Sequence, residues 1–434
     1  MQVSVETTST VECRMTVGVP SEHLGPEIQS RIKSFARNTK INGFRHGKAP
    51  RQVIEKKYGL QIRKEVLGKV IQSSFSKALE QEKLQPIGEP FFELTSELES
   101  LEQGLSYTAT FEIYPEISTL HVDGLAIEKP IVQITEADLE TMLYKLRLQR
   151  RTWKEVSRSA QKGDRIIIDF VSTKGGQPFK GNEAKQVAII LGENNFHVVE
   201  FDEKLLGASK GEDREFSFTF PQDSNNPNQS PGEILHFTVH IHSVAEPVLP
   251  EIDAEFAKTF GVEDGSIETL RRDARQNMER ELEYVVNGKT KQQILEALLK
   301  GNPIEVPQIL VADETQRLLK TRQQQRPYQN LHVDMFQDEA VKRVKIGVLV
   351  GELIKRHQIQ APPDKIRQVI ENTAFAYEDP QKVVNEFYAD SERMKEVESM
   401  VLEEEVVGWL LERAQITENK MDFYTAIMEP NQVS

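Results

Sequence analysis

Gly43-Phe44-Arg45-His46-Gly47-Lys48-Ala49-Pro50 sits in the most basic part of an acidic chain. Residues 31 to 69 hold twelve Lys or Arg against two acids, Glu55 and Glu65, a local charge of +10 in a 434-residue chain of −14, so the other 395 residues carry −24. A distribution so uneven implies that this segment meets a polyanion while the rest avoids one. Within the octapeptide, Gly43 and Gly47 permit backbone angles closed to other residues, and Pro50 fixes the exit. Phe44 either belongs to a small local core, with Arg45 a solvated charge, or tips a projecting loop; the charge around it favours the loop. A phosphate-binding P-loop is excluded. It needs four residues between its glycines and a hydroxyl after its Lys, whereas three residues separate Gly43 from Gly47, and Ala49 follows Lys48.

On either side of this stretch apolar residues recur at helical spacing: Leu24, Ile28, Ile32, Phe35 and Ala36 before it, Ile62, Val66, Val70, Phe75 and Leu79 after it. Further out the period becomes two. Val3 and Val5, then Val11, Cys13, Met15 and Val17, and on the far flank Leu105, Tyr107, Ala109, Phe111 and Ile113, alternate with polar residues as half-buried strands do. Residues 1 to 114 therefore read as an α+β domain, strands at both ends and the loop at a helix junction. The chain's one cysteine, Cys13, excludes an intramolecular disulfide and any cysteine-based zinc site. It reads as a buried strand residue rather than a reactive thiol.

Residues 115 to 158 read as a helical connector, with Thr135 and Asp138 spaced as a capping box ahead of Leu139, Met142, Leu143 and Leu146. Residues 159 to 246 change texture. Gly163-Asp164 opens a β-branched and aromatic run to Val171, Gly175-Gly176 is a turn, Val187 to Leu191 is a short apolar run, and a loop from Pro221 to Gly232 precedes a last strand, Ile234 to Val244. From Pro247 to residue 434 no strand pair is evident before the tail. Ser266 can cap a helix reaching Lys300, some 50 Å long at about 1.5 Å per residue. Pro303 and Pro307 end it, and the helices beyond read as a bundle with projecting arms. The fold class is thus multidomain α+β, in keeping with a length too great for one core. No run of about 18 apolar residues exists, and the start lacks a basic then apolar leader, so the expected place is the cytoplasm, without a membrane partner.

His236, His240 and His242 share one face of the last strand, a spacing open to a metal. The opposite face, Leu235, Phe237, Val239 and Ile241, explains them better as the solvent side of a half-buried strand. No metal is expected. Ser/His/Asp spacings, Cys/His pairs, HExxH, GxGxxG and nucleotide motifs are all missing, and no cofactor is expected.

The octapeptide resembles the ribosome-docking signature of the trigger factor family, Gly-Phe-Arg-x-Gly-Lys-x-Pro, and matches it at every fixed position. The resemblance implies that Gly43, Phe44, Arg45, His46, Gly47 and Lys48 bind the ribosome. His46 stands where the family commonly has Lys, which implies weaker or more pH-sensitive docking. Residues 159 to 246 are similar to the FK506-binding-type prolyl isomerase domain of the same family. An X-Pro amide turns over a barrier of about 20 kcal/mol, and twisting it removes the charge separation that water stabilises, so a dry aromatic pocket favours the twisted form.

By position, the pocket the resemblance implies is Phe170, Phe179, Val187, Val198, Phe201, Phe220 and Phe237; taken without it, aromatics in a small β domain are more often core. Departures from the family pattern lie at Val199-Glu200, where Pro-Gly is usual, at Lys180, where an acid is often found, and at Val187, which replaces an aromatic. They imply a slow isomerase. The helical region resembles the family's chaperone body, most closely over Phe336 to Ile359. The function implied is an ATP-independent, ribosome-associated chaperone with prolyl isomerase activity. Its implied partners are the ribosome at the polypeptide exit, nascent and unfolded polypeptides and, away from the ribosome, a second copy of the chain. Alternatives are a free-standing prolyl isomerase, a periplasmic chaperone-isomerase, and an RNA-binding module using the basic segment alone.

Overall fold

The computed structural model describes residues 1–38, 44, 50–95, 104–175, 177, 182–193, 199–219, 234–325, 331–375, 377 and 379–428. Two compact units are built from it: Met1–Ile127 with Gln293–Arg322 and His332–Gln415, and Glu128–Gln292 with Gln323–Leu331 and Ile416–Ser434.

The first unit begins with β1 (Gln2–Ser9), β2 (Glu12–Val19), helices α1 (Ser21–Asn38) and α2 (Arg51–Glu82), then β3 (Ile87–Leu94) and β4 (Leu105–Glu112). The strands form one antiparallel sheet in the order β1-β2-β4-β3. Alternation decides which face is buried: Cys13, Met15, Val17 and Val19 of β2 and Leu105, Tyr107, Ala109 and Phe111 of β4 point inward, against Leu24 of α1 and Leu67, Phe75 and Ala78 of α2. Burial raises the thiol pKa of Cys13. The buried Tyr107 hydroxyl is satisfied by Ser74 Oγ at 2.8 Å, so the core keeps its one large polar tip without an orphaned group. Beyond this core α1 and α2 continue as a hairpin held by Ile32, Ile54, Ile62 and Val66.

The second unit starts within β5 (Ala126–Val132) and continues with α3 (Glu136–Gln149), β6 (Thr152–Glu155), β7 (Arg165–Lys174), β8 (Glu183–Ile190), α4 (Val199–Leu205), β9 (Asp213–Thr219), β10 (Ile234–Val248) and α5 (Ala254–Lys258). Thr135 and Asp138 form the expected capping box at the start of α3. The segment 115–158 is not simply a helical connector, because two strands flank its one helix. β5 pairs with β11 (Gln415–Met421) in a two-stranded sheet. Its signal is weak: Pro130 lies within it, and its partner is almost 300 residues away in a polar run.

Strands β6 to β10 make a five-stranded sheet in which the 15-residue β10 pairs with β7 along one edge and with β9 and then β6 along the other. Its inner face buries Ile166, Ile168, Leu235, Val239 and Ile241, and α4 lays Phe201 and Leu205 over them. Strand β8 begins at Glu183, four residues before the apolar run that suggested it. Its first half carries polar residues on an edge strand, so hydrophobicity does not mark it.

The remaining helices are α6 (Ile267–Gly301), α7 (Gln308–Gln325), α8 (Gln337–His357), α9 (Pro363–Ala374), α10 (Pro380–Ala389), α11 (Ser391–Leu411) and α12 (Phe423–Met428). Ser266 Oγ accepts the Thr269 N–H at 3.2 Å, the cap its position suggested. The 35 residues of α6 extend about 52 Å. Within the first unit its end packs through Ile294, Leu295 and Leu298 against Leu349, Val350 and Leu353 of α8 and Val406, Val407 and Leu410 of α11. Helices α9 and α11 form a smaller core from Ile366, Ile370, Val397 and Val401. In the second unit Phe423 of α12 is buried among Leu139, Leu143, Phe256 and Met278. Among the described residues no helix is long and apolar enough to cross a membrane.

Candidate functional sites

Of the octapeptide, Gly43, Arg45, His46, Gly47 and Lys48 lie outside the described residues. Phe44 is described and is 38% exposed; it is not part of the small core that closes the hairpin. That core ends instead in Phe35 against Tyr58, ring centroids 5.2 Å apart. Arg31 grips Glu65 through two hydrogen bonds, Nε to Oε2 at 3.0 Å and Nη2 to Oε1 at 2.5 Å. This occupies one of the two local acids and holds its carboxyl below the ordinary glutamate range. Lys56, Lys57, Arg63 and Lys64 remain exposed on α2, three or four residues from a Leu60 that is 63% exposed.

Four of the seven residues implied for the pocket can be placed. Phe170 comes from β7, Val187 from β8, Phe201 from α4 and Phe237 from β10, and all four belong to one cluster. The centroid of Phe237 lies 5.6 Å from Phe170 and 5.5 Å from Phe201, the latter edge to face at 80°. Phe179, Val198 and Phe220 lie outside the described residues. The sequence reading missed Phe216 on β9, which stands opposite Phe237, stacks on it at 6.0 Å and meets Phe201 at 5.4 Å. Its signal was available, since the alternation in Arg214 to Phe218 puts Phe216 on the inner face. Phe201 has no exposed surface. It is the floor that supports the other rings, while Phe170 and Val187 are half-buried and accessible.

Hydrogen bonds fix the elements carrying these rings. Asp202, beside Phe201 and almost fully buried, accepts the Gly192 N–H at 2.9 Å, which ties α4 to the end of β8. Gly192 has φ +92, and a Cβ there would press on Lys162. At the base of the sheet, buried Asp164 accepts from Arg158 at 2.5 and 3.0 Å and from the Gln161 N–H at 2.8 Å. The histidines of β10 face outward, as their parity indicated. Each meets a polar partner: His236 with Ser217 at 2.5 Å, His240 with Asp213 at 2.5 Å and His242 with Asp169 at 3.0 Å. Among the described residues no group of three His, Cys, Asp or Glu is arranged to hold a metal.

In the helical body the structure separates apolar residues that sequence alone could not. Within Phe336 to Ile359, Phe336, Ala340, Leu349, Val350 and Leu353 are buried. Between α9 and α10, by contrast, a crevice of about 520 Å³ is lined by Ala374, Phe375, Val384 and Tyr388, with Arg367 and Glu371 at its side. Phe375 is 86% exposed and Tyr388 49%. A second cavity of about 380 Å³ lies between α7 and α8, where Tyr114, Leu310, Val344 and Val348 meet Asp313, Glu314 and Arg317.

Family models described as "Bacterial trigger factor protein (TF)" and its C-terminus match residues 1–146 and 266–412. The trigger factor of Pseudoalteromonas atlantica is 40% identical over 427 residues, covering 96% of this chain and 97% of that one. The chain belongs to the trigger factor family. Trigger factors of Thioalkalivibrio sulfidiphilus, 39% identical over 432 residues, and of Pseudomonas paraeruginosa, 40% identical over 434, each match 98% of this chain and 97% and 98% of their own. Between the two trigger factor segments, residues 156–242 match the model for "FKBP-type peptidyl-prolyl cis-trans isomerase", so this trigger factor carries an FKBP-type domain, and the Phe170, Phe201, Phe216 and Phe237 cluster is its core and candidate pocket.

Proposed function

We propose that the protein is an ATP-independent chaperone that docks on the ribosome at the polypeptide exit through the loop between α1 and α2, and shelters emerging apolar segments on its helical body. The observation that carries this is the aromatic crevice between α9 and α10. Phe375, just past α9, and Tyr388 on α10 stand exposed beside a core that α9 and α11 form from Ile366, Ile370, Val397 and Val401. A folded protein keeps such surface where it binds something apolar, and shallow contact lets an unfolded client leave again. Docking falls to Gly43, Phe44, Arg45, His46, Gly47 and Lys48, supported by exposed Phe44 and the cationic face of α2. Nascent and unfolded polypeptides are the partners, the cytoplasm is the place of action, and a homodimer forms away from the ribosome.

The working divisions are residues 1–114 for docking, 159–246 for isomerisation, and 115–158 with 247–434 for the chaperone body. The FKBP-type domain isomerises X-Pro bonds in a pocket of Phe170, Phe179, Val187, Val198, Phe201, Phe220 and Phe237, slowly because Val199, Glu200, Lys180 and Val187 depart from the family pattern. Suppression of aggregation of an unfolded protein without nucleotide tests the central claim. Phe375→Ser with Tyr388→Ser should weaken it, and an ATP requirement would overturn it.

A further inference from the structure

Strand β8 contains an irregularity next to the pocket. Ile168 pairs with Val187 and Phe170 with Ala184, so the single residue Asp169 on β7 faces two on β8, Lys185 and Gln186. This is a β-bulge, and its left-handed position is usually given to Gly because a Cβ is crowded there. Here it is Gln186, at φ +53. The extra residue keeps Ala184 and Val187 both on the inner face while Lys185 and Gln186 both point out. Without it, either Val187 or Ala184 would turn away from the core.

What holds a glutamine in that conformation is Asp169. Its Oδ1 accepts the Gln186 N–H at 2.7 Å. The same oxygen lies 3.0 Å from Nε2 of His242 on β10. That nitrogen is sealed from solvent. Backbone donation from Gln186 first, and His242 second, hold the Asp169 carboxyl below its ordinary range. The groups facing this pair are His240 beside His242, ring centroids 4.8 Å apart, Asp213 and Glu215 on β9, and Lys185 on β8. Asp213 is hydrogen-bonded to His240 at 2.5 Å, and Asp169 is the partner of His242.

We propose that Asp169 is a positioning residue for the prolyl isomerase pocket, holding Gln186 in a left-handed bulge that presents Val187 to Phe170, and that His242 steadies its carboxylate. This rests on the reading of residues 159–246 as an isomerase domain and goes beyond it, because neither residue touches the pocket. The full chain is assayed for isomerisation of an X-Pro peptide and for amide hydrogen exchange at Gln186 and Val187. Asp169→Ala should lower the rate about tenfold, or about 1.4 kcal/mol of barrier, and speed exchange at both amides. Adding Gln186→Gly should recover most of the rate, because Gly adopts the left-handed bulge without help. His242→Ala, which removes the second partner of the Asp169 carboxylate, should lower the rate about twofold and speed exchange at the Gln186 amide.

An Asp169→Ala protein with native rate and protected amides would overturn the proposal, as would a double variant no faster than Asp169→Ala alone. A native rate with native exchange in His242→Ala would remove the histidine from it. If the native chain isomerises no peptide, the isomerase reading fails, while the two amides still report whether Asp169 holds the bulge.

Discussion

Gly88 on β3 and Ile309 on α7 are packed so closely that a Cβ built on Gly88 would overlap the Ile309 Cδ1. The same approach brings the Glu112 carboxylate, at the end of β4, onto the start of α7, where it accepts the N–H groups of Gln308 and Ile309 at 2.9 Å each. Thr10 adds a hydrogen bond to Glu305 at 2.6 Å. A carboxylate at a helix N-terminus satisfies two otherwise orphaned donors and complements the helix dipole. The N-terminal sheet is thus keyed to α7 by shape at one point and by charge at another.

Gly88→Ala tests the shape. Gly88 has φ +69, so the substitution adds left-handed strain to overpacking against Ile309, and a loss of about 1–3 kcal/mol is expected. Thermal unfolding of the full chain measures it. A native Tm would mean that Ile309 turns aside at no cost.

Docking should reside in the loop. Phe44→Ala, Arg45→Ala and His46→Ala together are expected to abolish co-sedimentation with ribosomes while leaving stability within about 0.5 kcal/mol. Association of the native chain should also fall steeply with added salt, because counterion release drives it. Retained sedimentation of the triple variant at physiological salt would place the contact elsewhere.

The pocket rings should differ in what they cost. Phe201, fully buried, should lose about 3–5 kcal/mol on truncation to Ala, so its loss of isomerisation will accompany loss of fold. Phe170→Ala removes a half-buried ring and should lower isomerisation more than tenfold with a much smaller change in denaturant midpoint. Equal losses of stability in the two variants would show that Phe170 is core as well.

Acid should act on the docking hairpin through Glu65. Its folded pKa is depressed by Arg31, so the ion pair contributes above the unfolded glutamate value and is lost as pH falls through the lower folded value. A carboxyl NMR titration should place Glu65 below the ordinary glutamate range. Arg31→Gln should return it toward that range; a native position in that variant would deny the pairing.

Features with local signals were readable in advance. Thr135 with Asp138, Ser266 ahead of α6, and the alternation through Cys13, Met15 and Val17 each depend on residues within four positions of one another. The pairing of β5 with β11 could not be read, because neither strand has a hydrophobic period of its own and the contact spans most of the chain. Nor could Phe375 be told from Leu349. Both are apolar residues in helical sequence, and only packing shows that one is covered and the other is not. Phe216 is a different case, since its alternation was legible and only its opposition to Phe237 across two strands gave it a place in the pocket. The bulge at Gln186 left no mark at all, because the residue expected in that conformation is glycine.

The protein's single thiol sits in β2 with almost no exposed surface, and burial raises its pKa. Maleimides and spin labels react with exposed thiolates, so Cys13 should be silent toward them in the folded chain. The unmodified protein is therefore already a blank background for site-directed labelling. A cysteine introduced at Leu60 or Tyr388 could carry a fluorophore or nitroxide with Cys13 left in place, and one labelled position at a time would follow the hairpin or the aromatic crevice as each meets its partner.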